Sequence, residues 1–271
     1  MGLSPRGILA TRGRKIGAAI GAAILASVGA GIAAWILNGA ESATKNVLGG
    51  SGGAPLVVHV ARPDTFTSAH AFAPYYVVPG SQVSSPTELP AEELKGDEPF
   101  DFTFAERHGG IAGSPEIVQL RLSASGDEPV TINAIRIKVV RRASPVQGWY
   151  AVAPGCGGSL IRIADIDLDK PSAPIRFFAK GSEQKQLALF VTRTDVEVIQ
   201  LWARTRTALV DWTAEVFYSG PKGDGSVTVD DNGRPFRVTT ETASEGYQLA
   251  FTGGQKVQRM PDWDKTGIVA C

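Results

Sequence analysis

The chain has little of what most protein chemistry is built from. Its 271 residues include two cysteines, three histidines and two methionines. His59, His70 and His108 stand far apart, and no HxH, HExxH or CxxC spacing occurs. The usual zinc spacings are therefore excluded. A P-loop and a dinucleotide-binding fingerprint are also missing, so no recognisable phosphate cradle is present. There is no net charge to attract nucleic acid: 27 Lys and Arg balance 27 Asp and Glu. No internal repeat and no long amphipathic helical pattern is evident, which argues against solenoids and helical bundles. Nothing in the sequence calls for a cofactor or a metal.

One absence is local. Ile16–Leu37 holds 22 residues without a charge, long enough as a helix (roughly 33 Å) to cross a bilayer core of about 30 Å. Arg6, Arg12, Arg14 and Lys15 precede it with no acid among them, and the positive-inside bias then sets residues 1–15 in the cytoplasm. Trp35 falls near the outer end, where an indole suits the headgroup layer. A cleaved signal peptide is the rival reading, but its apolar core is usually 7–15 residues and ends at an A-x-A site. Asn38-Gly39-Ala40 fits that site poorly. Both readings export the rest of the chain. Gly17 and Gly21 form a GxxxG on the span, a spacing through which two copies could pair as a homodimer.

Residues 38–55 are small and polar and end in GGSGG, which predicts a flexible linker reaching on the order of 20–25 Å. The expected exported domain is 56–271. Everything after residue 15 carries 23 Lys and Arg against 27 acids, a mildly acidic balance. Within the expected domain, 80–115 reads as an irregular acidic excursion, with at most a short helix near Ala91–Lys95. Around it the pattern is that of strands. Leu56–Val60 and Tyr75–Val78 come first. Val118, Leu120 and Leu122 alternate with polar residues. In Val130–Arg142 the apolar parity slips between Ile132 and Ile135, predicting a β-bulge near Asn133–Ala134. Leu160–Leu168, Leu187–Val191, Val196–Thr207 and the Trp212–Tyr218 run follow. Ser226–Val229 and Pro235–Thr239 flank Asp230-Asp231-Asn232-Gly233, and Asn-Gly is a strong hairpin signal. The expected fold is mainly β: an Ig-like β-sandwich ectodomain preceded by one transmembrane α-helix.

Cys156 and Cys271 are even in number, and an exported domain favours a disulfide. Such a bridge would constrain the unfolded chain by roughly 4–5 kcal/mol. Two unpaired thiols, or a bond from Cys271 to another chain, are the alternatives. Ser159 in GCGGS lacks the strand-to-helix setting of a nucleophile elbow. Asp165, Asp167 and Asp169 alternate with Ile166 and Leu168, as a solvent-facing strand requires; shared Ca²⁺ is the rarer explanation. Arg136, Lys138 and Arg142, with Arg141 beside them, form a row for an anionic polymer or lipid headgroups, unless neighbouring acids neutralise it.

The block VVRRASPVQGWYAVAPGCGG (Val139–Gly158), VDW (Val210–Trp212) and DDNGRPFRVT (Asp230–Thr239) resembles a group of uncharacterised actinobacterial single-pass membrane proteins with an extracytoplasmic β domain. The likeness covers about residues 115 to 240. It implies a basic N-terminus inside, one span and a β domain outside, and carries no activity. That group often has its second cysteine just before the Trp; here Ala208–Asp211 occupy that place, which leaves Cys271 as the partner for Cys156. The function expected is a plasma-membrane-anchored binding or scaffolding module for a protein or envelope polymer. An exported cell-envelope hydrolase without a recognisable catalytic motif is the alternative.

Overall fold

A computed structural model describes residues 46–47, 55–62, 75–86, 89, 102–152, 162–185, 187, 189–240, 246–250 and 256–260. The chain divides between Thr44 and Lys45, and every described residue belongs to the second unit. That unit is mainly β, with its strands in two sheets.

The first sheet runs, edge to edge, through β1 (Asn46–Val47), β2 (Leu56–Ala61), β5 (Glu116–Ala124), β12 (Glu197–Arg204), β8 (Arg162–Asp167), β9 (Arg176–Ala179) and β10 (Ser182–Gln184). The second runs through β11 (Leu189–Val191), β6 (Val130–Ala143), β13 (Leu209–Gly220), β15 (Phe236–Thr239), β4 (Ile111–Gly113), β3 (Tyr75–Pro79), β7 (Gly148–Val152), β16 (Gly246–Ala250) and β17 (Lys256–Met260). One further strand, β14 (Gly223–Val229), pairs only with β13. Three pairings are parallel, β12 with β8, β15 with β4 and β16 with β7. They set this layout apart from the all-antiparallel sheets of immunoglobulin domains.

Alternation of side chains explains why these segments share one core. In β5 the even residues Val118, Leu120, Leu122 and Ala124 point inward and are buried. Ile199, Leu201 and Ala203 of β12 and Ala164 and Ile166 of β8 join them. The second sheet supplies Ile132, Val210, Trp212, Ala214, Val216, Phe236 and Val238 to the same cluster. Fully burying a Leu or Ile contributes about 1.5–3 kcal/mol, so this two-sheet core supplies most of the favourable free energy. A smaller cluster gathers Val78, Leu89, Phe104, Trp149 and Ala151 at the far half of the second sheet.

The strand β6 carries two irregularities. Phe217 pairs with Ala134 and Tyr218 with Ile132, so Asn133 is bulged out, where the parity slip expects it. Trp212 then pairs with Val139 and Asp211 with Arg141, so Val140 is a second bulge. The second one reverses the parity of everything after it.

Three expectations need correction. Within the expected linker, Asn46–Val47 lies on the sheet, pairing with His59 and Val58 of β2. The excursion is not wholly irregular: helix α1 (Phe102–Arg107) and β4 both fall in it, because Phe104 and Ala105 are buried. The runs flanking Asn-Gly do not pair with each other as a two-stranded hairpin. Both β14 and β15 pair with β13, end to end. Between them the chain makes a tight turn closed by the Asp231–Arg234 bridge, with Asn232 and Gly233 at φ 57° and 82°.

Among the described residues no helix is long and apolar enough to cross a membrane. The expected span Ile16–Leu37, the residues Arg6, Arg12, Arg14, Lys15 and Trp35, and the pairing face Gly17 and Gly21 all lie outside the described residues, as do Cys156, Ser159 and Cys271.

Candidate functional site: charged groups inside and outside the sandwich

At one end of the core a carboxylate sits between the sheets. Glu116 begins β5 with the inward parity of Val118, and only 1% of it is exposed. Arg62, just past β2, binds its Oε1, and the Trp212 indole N–H donates to Oε2 at 2.7 Å. The same guanidinium lies 3.5 Å from Asp231 in the tight turn and 5.1 Å from the Phe236 ring centre. Phe236 in turn packs on Trp212, centroids 4.8 Å apart. Burial pushes the Glu116 carboxyl above its ordinary value, while Arg62 and Trp212 pull it back. A buried pair with its partners in place fixes how β2, β5, β13 and the 230–235 turn meet.

A second carboxylate clamps the 205–207 loop, which follows β12 at the same end of the sheet as Glu116. Asp169 accepts from the Thr205 and Thr207 hydroxyls at 2.9 and 3.0 Å and from the Arg206 backbone N–H at 2.7 Å. Arg142 reaches it at 3.4 Å and also donates to the Leu168 carbonyl. Burial alone would raise the Asp169 carboxyl, but these donors together hold it below the usual carboxylate range. Asp165, on the outward face of β8, is gripped by Arg204 at 2.7 Å and by Arg176. The aspartates of this stretch are thus occupied by protein donors. Among the described residues no group of three acids, histidines or cysteines is placed to hold a metal.

The expected basic row is rearranged by the Val140 bulge. Arg136 and Lys138 share the outward face with Arg141, not with Arg142, which turns to the opposite face and joins the Asp169 clamp. Asp211 of β13 lies between Arg141 and Arg237 of β15, at 2.7 and 3.2 Å. Arg136 stacks 4.5 Å over the Phe217 ring, and Lys138 faces Thr213 in register. The signal for Arg237 and Asp211 was their alternation with buried Phe236, Trp212 and Val238. The signal for Glu116 was its parity with Val118, Leu120 and Leu122.

The histidines are not gathered. His59 points outward from β2 opposite Arg121, His108 packs on Phe104 at 4.6 Å, and His70 lies outside the described residues. Burial and the Arg121 charge hold His59 below its ordinary pKa of 6.5. The folded state therefore binds this proton less readily than the unfolded one, so stability falls as the pH drops below about 6.5. Thermal unfolding of His59→Asn between pH 7.5 and 5 is expected to show a flatter pH dependence than the parent; an unchanged slope contradicts this.

The fold defines a two-sheet β protein with carboxylates clamped by arginine, hydroxyl and indole donors toward one end. No family model, curated protein or solved structure matches the chain.

Proposed function

We propose that this chain is a single-pass plasma-membrane protein that keeps its N-terminus in the cytoplasm and presents a two-sheet β-sandwich outside as a binding or scaffolding module. The observation that carries the reading is the charge-free run Ile16–Leu37 behind Arg6, Arg12, Arg14 and Lys15. The β-rich unit that follows it supports the same reading, because a rigid two-sheet body offers broad outward faces for contact. The charged clamps support a scaffold role over chemistry: Glu116, Asp165 and Asp169 are each engaged by arginine, hydroxyl or indole donors that position strands and loops. The likeness to actinobacterial single-pass proteins belongs to this proposal, as do the Cys156–Cys271 bridge and a homodimer through Gly17 and Gly21.

Fusing alkaline phosphatase or green fluorescent protein to the C-terminus tests it. An active phosphatase fusion and a dark fluorescent fusion are expected, with both chains extracted only by detergent. A bright fluorescent fusion or a fusion released without detergent would overturn the reading.

A further inference from the structure

Resting on that exported reading, we propose that the outward face of the second sheet along β6 is a docking surface for a linear polyanion, an envelope polymer carrying repeated carboxylates or phosphates. Arg136, Lys138, Arg141 and Arg237 are all exposed on this face. Three acids share the face with them. Asp211 is shared by Arg141 and Arg237, so one negative charge answers two positive ones. Glu215 stands opposite Arg136 and accepts the Ser226 hydroxyl at 2.6 Å. Lys138 faces an uncharged threonine, and among the described residues no acid is within ion-pair distance of it. Asp224, at the β14 end of the face, accepts the Ser219 hydroxyl at 2.5 Å. The face therefore has one positive charge in surplus, centred on Lys138, on a domain that is otherwise mildly acidic.

Geometry favours a chain over a plane. Residues two apart on a strand repeat at about 6.8 Å, and with Val140 out of the ladder the cations from Arg136 to Arg141 extend on the order of 14 Å in a line. A strand-like array of that length meets successive anions of one polymer. Binding to an anionic bilayer draws on clusters of four to eight cations unbroken by acids, which this face lacks. Val140, bulged out and 50% exposed between Lys138 and Arg141, adds an apolar contact suited to a polymer backbone. The stacking of Arg136 on Phe217 holds that guanidinium outward.

The test uses the full-length chain in phosphatidylcholine nanodiscs, with polygalacturonate and long-chain polyphosphate as probes. Galacturonate, orthophosphate and phosphatidylglycerol vesicles serve as comparisons. At least one polymer is expected to bind, more weakly as salt rises, and far better than its monomer. Lys138→Glu is expected to weaken it roughly three- to tenfold, with Lys138→Gln between, as loss of one or two units of exposed charge implies. Lys185→Glu, the same charge change away from this face, should leave binding intact, and unchanged Tm values show all three variants folded. Failure of both polymers to bind, or equal binding by Lys138→Glu and the parent, overturns the proposal. So does equally strong, Lys138-dependent binding to phosphatidylglycerol vesicles, which would assign the face to the membrane. If binding fails while the phosphatase fusion is active, only the polyanion assignment falls. A bright fluorescent fusion instead removes the exported reading beneath it.

Discussion

Replacing Glu116 by alanine is expected to destabilise the folded chain by about 3–5 kcal/mol, because it takes from the buried Arg62 guanidinium the carboxylate it binds most closely. The same change removes the acceptor of the buried Trp212 N–H, itself a loss of about 1–3 kcal/mol. Glu116→Gln keeps an oxygen for the indole and should cost less than alanine. Arg62→Met leaves the opposite charge buried, and its deficit should depend on pH in a definite direction. Burial already holds the Glu116 carboxyl above its ordinary 4.5, and losing Arg62 raises it further. A raised folded pKa means stability present below pH 4.5 and lost as the pH climbs through the folded value. Arg62→Met should therefore approach the parent in acid and fall away from it toward neutrality. The double variant Arg62→Met, Glu116→Gln should recover much of the loss at pH 7. Urea unfolding of the four variants at two pH values reads all of this. Additive losses in the double variant would show that the two groups do not act as a pair.

Gly148→Ala is expected to cost about 4 kcal/mol or more, enough to open the far half of the second sheet. A Cβ at this position would stand 1.9 Å from the Val78 carbonyl oxygen and 2.8 Å from its carbon. Both atoms belong to the backbone of the paired strand β3, so no rotamer change relieves the clash. Trp149, whose indole donates to the Val83 carbonyl at 2.9 Å, and Phe104 lose their packing when β3 and β7 separate. Hydrogen exchange should quicken in 75–79 and 148–152 while β5 and β12 keep their protection. Gly126→Ala is the matched control. Nothing lies within 4 Å of its added methyl, and the expected change stays within about 0.5 kcal/mol. Equal effects at the two glycines would contradict the close approach of β3 and β7.

How much of this was legible beforehand varies along the chain. Between Glu116 and Thr239 period-two alternation recurs in Val118–Leu122, Ile135–Val139 and Trp212–Tyr218, and β5, β6, β12, β13 and the Asn133 bulge were readable from the apolar runs there. The parallel partners of the short strands were not. Ile111–Gly113 meets β15, more than a hundred residues later, and nothing local marks such a partner. The Asn-Gly signal specified the turn but not its neighbours, because β13 is long enough to hold both flanking runs. The basic row was misassigned at Arg142 for a similar reason. Val139 and Val140 are both apolar, β-branched residues, so the sequence does not show which of them bulges. Once Val140 leaves the ladder, Arg141 takes the outward place and Arg142 turns to Asp169. Glu116 was passed over because an acid at a strand's start usually faces water. Its partner Arg62 lies 54 residues away, beyond any local pattern.

Limited proteolysis of intact cells bearing a C-terminal epitope tests most directly whether the β unit stands outside the membrane. The expected result is loss of the epitope without lysis, with an N-terminal fragment containing Ile16–Leu37 left in the membrane pellet. An epitope fully protected until the cells are broken, on a chain recovered in the soluble fraction, would contradict it.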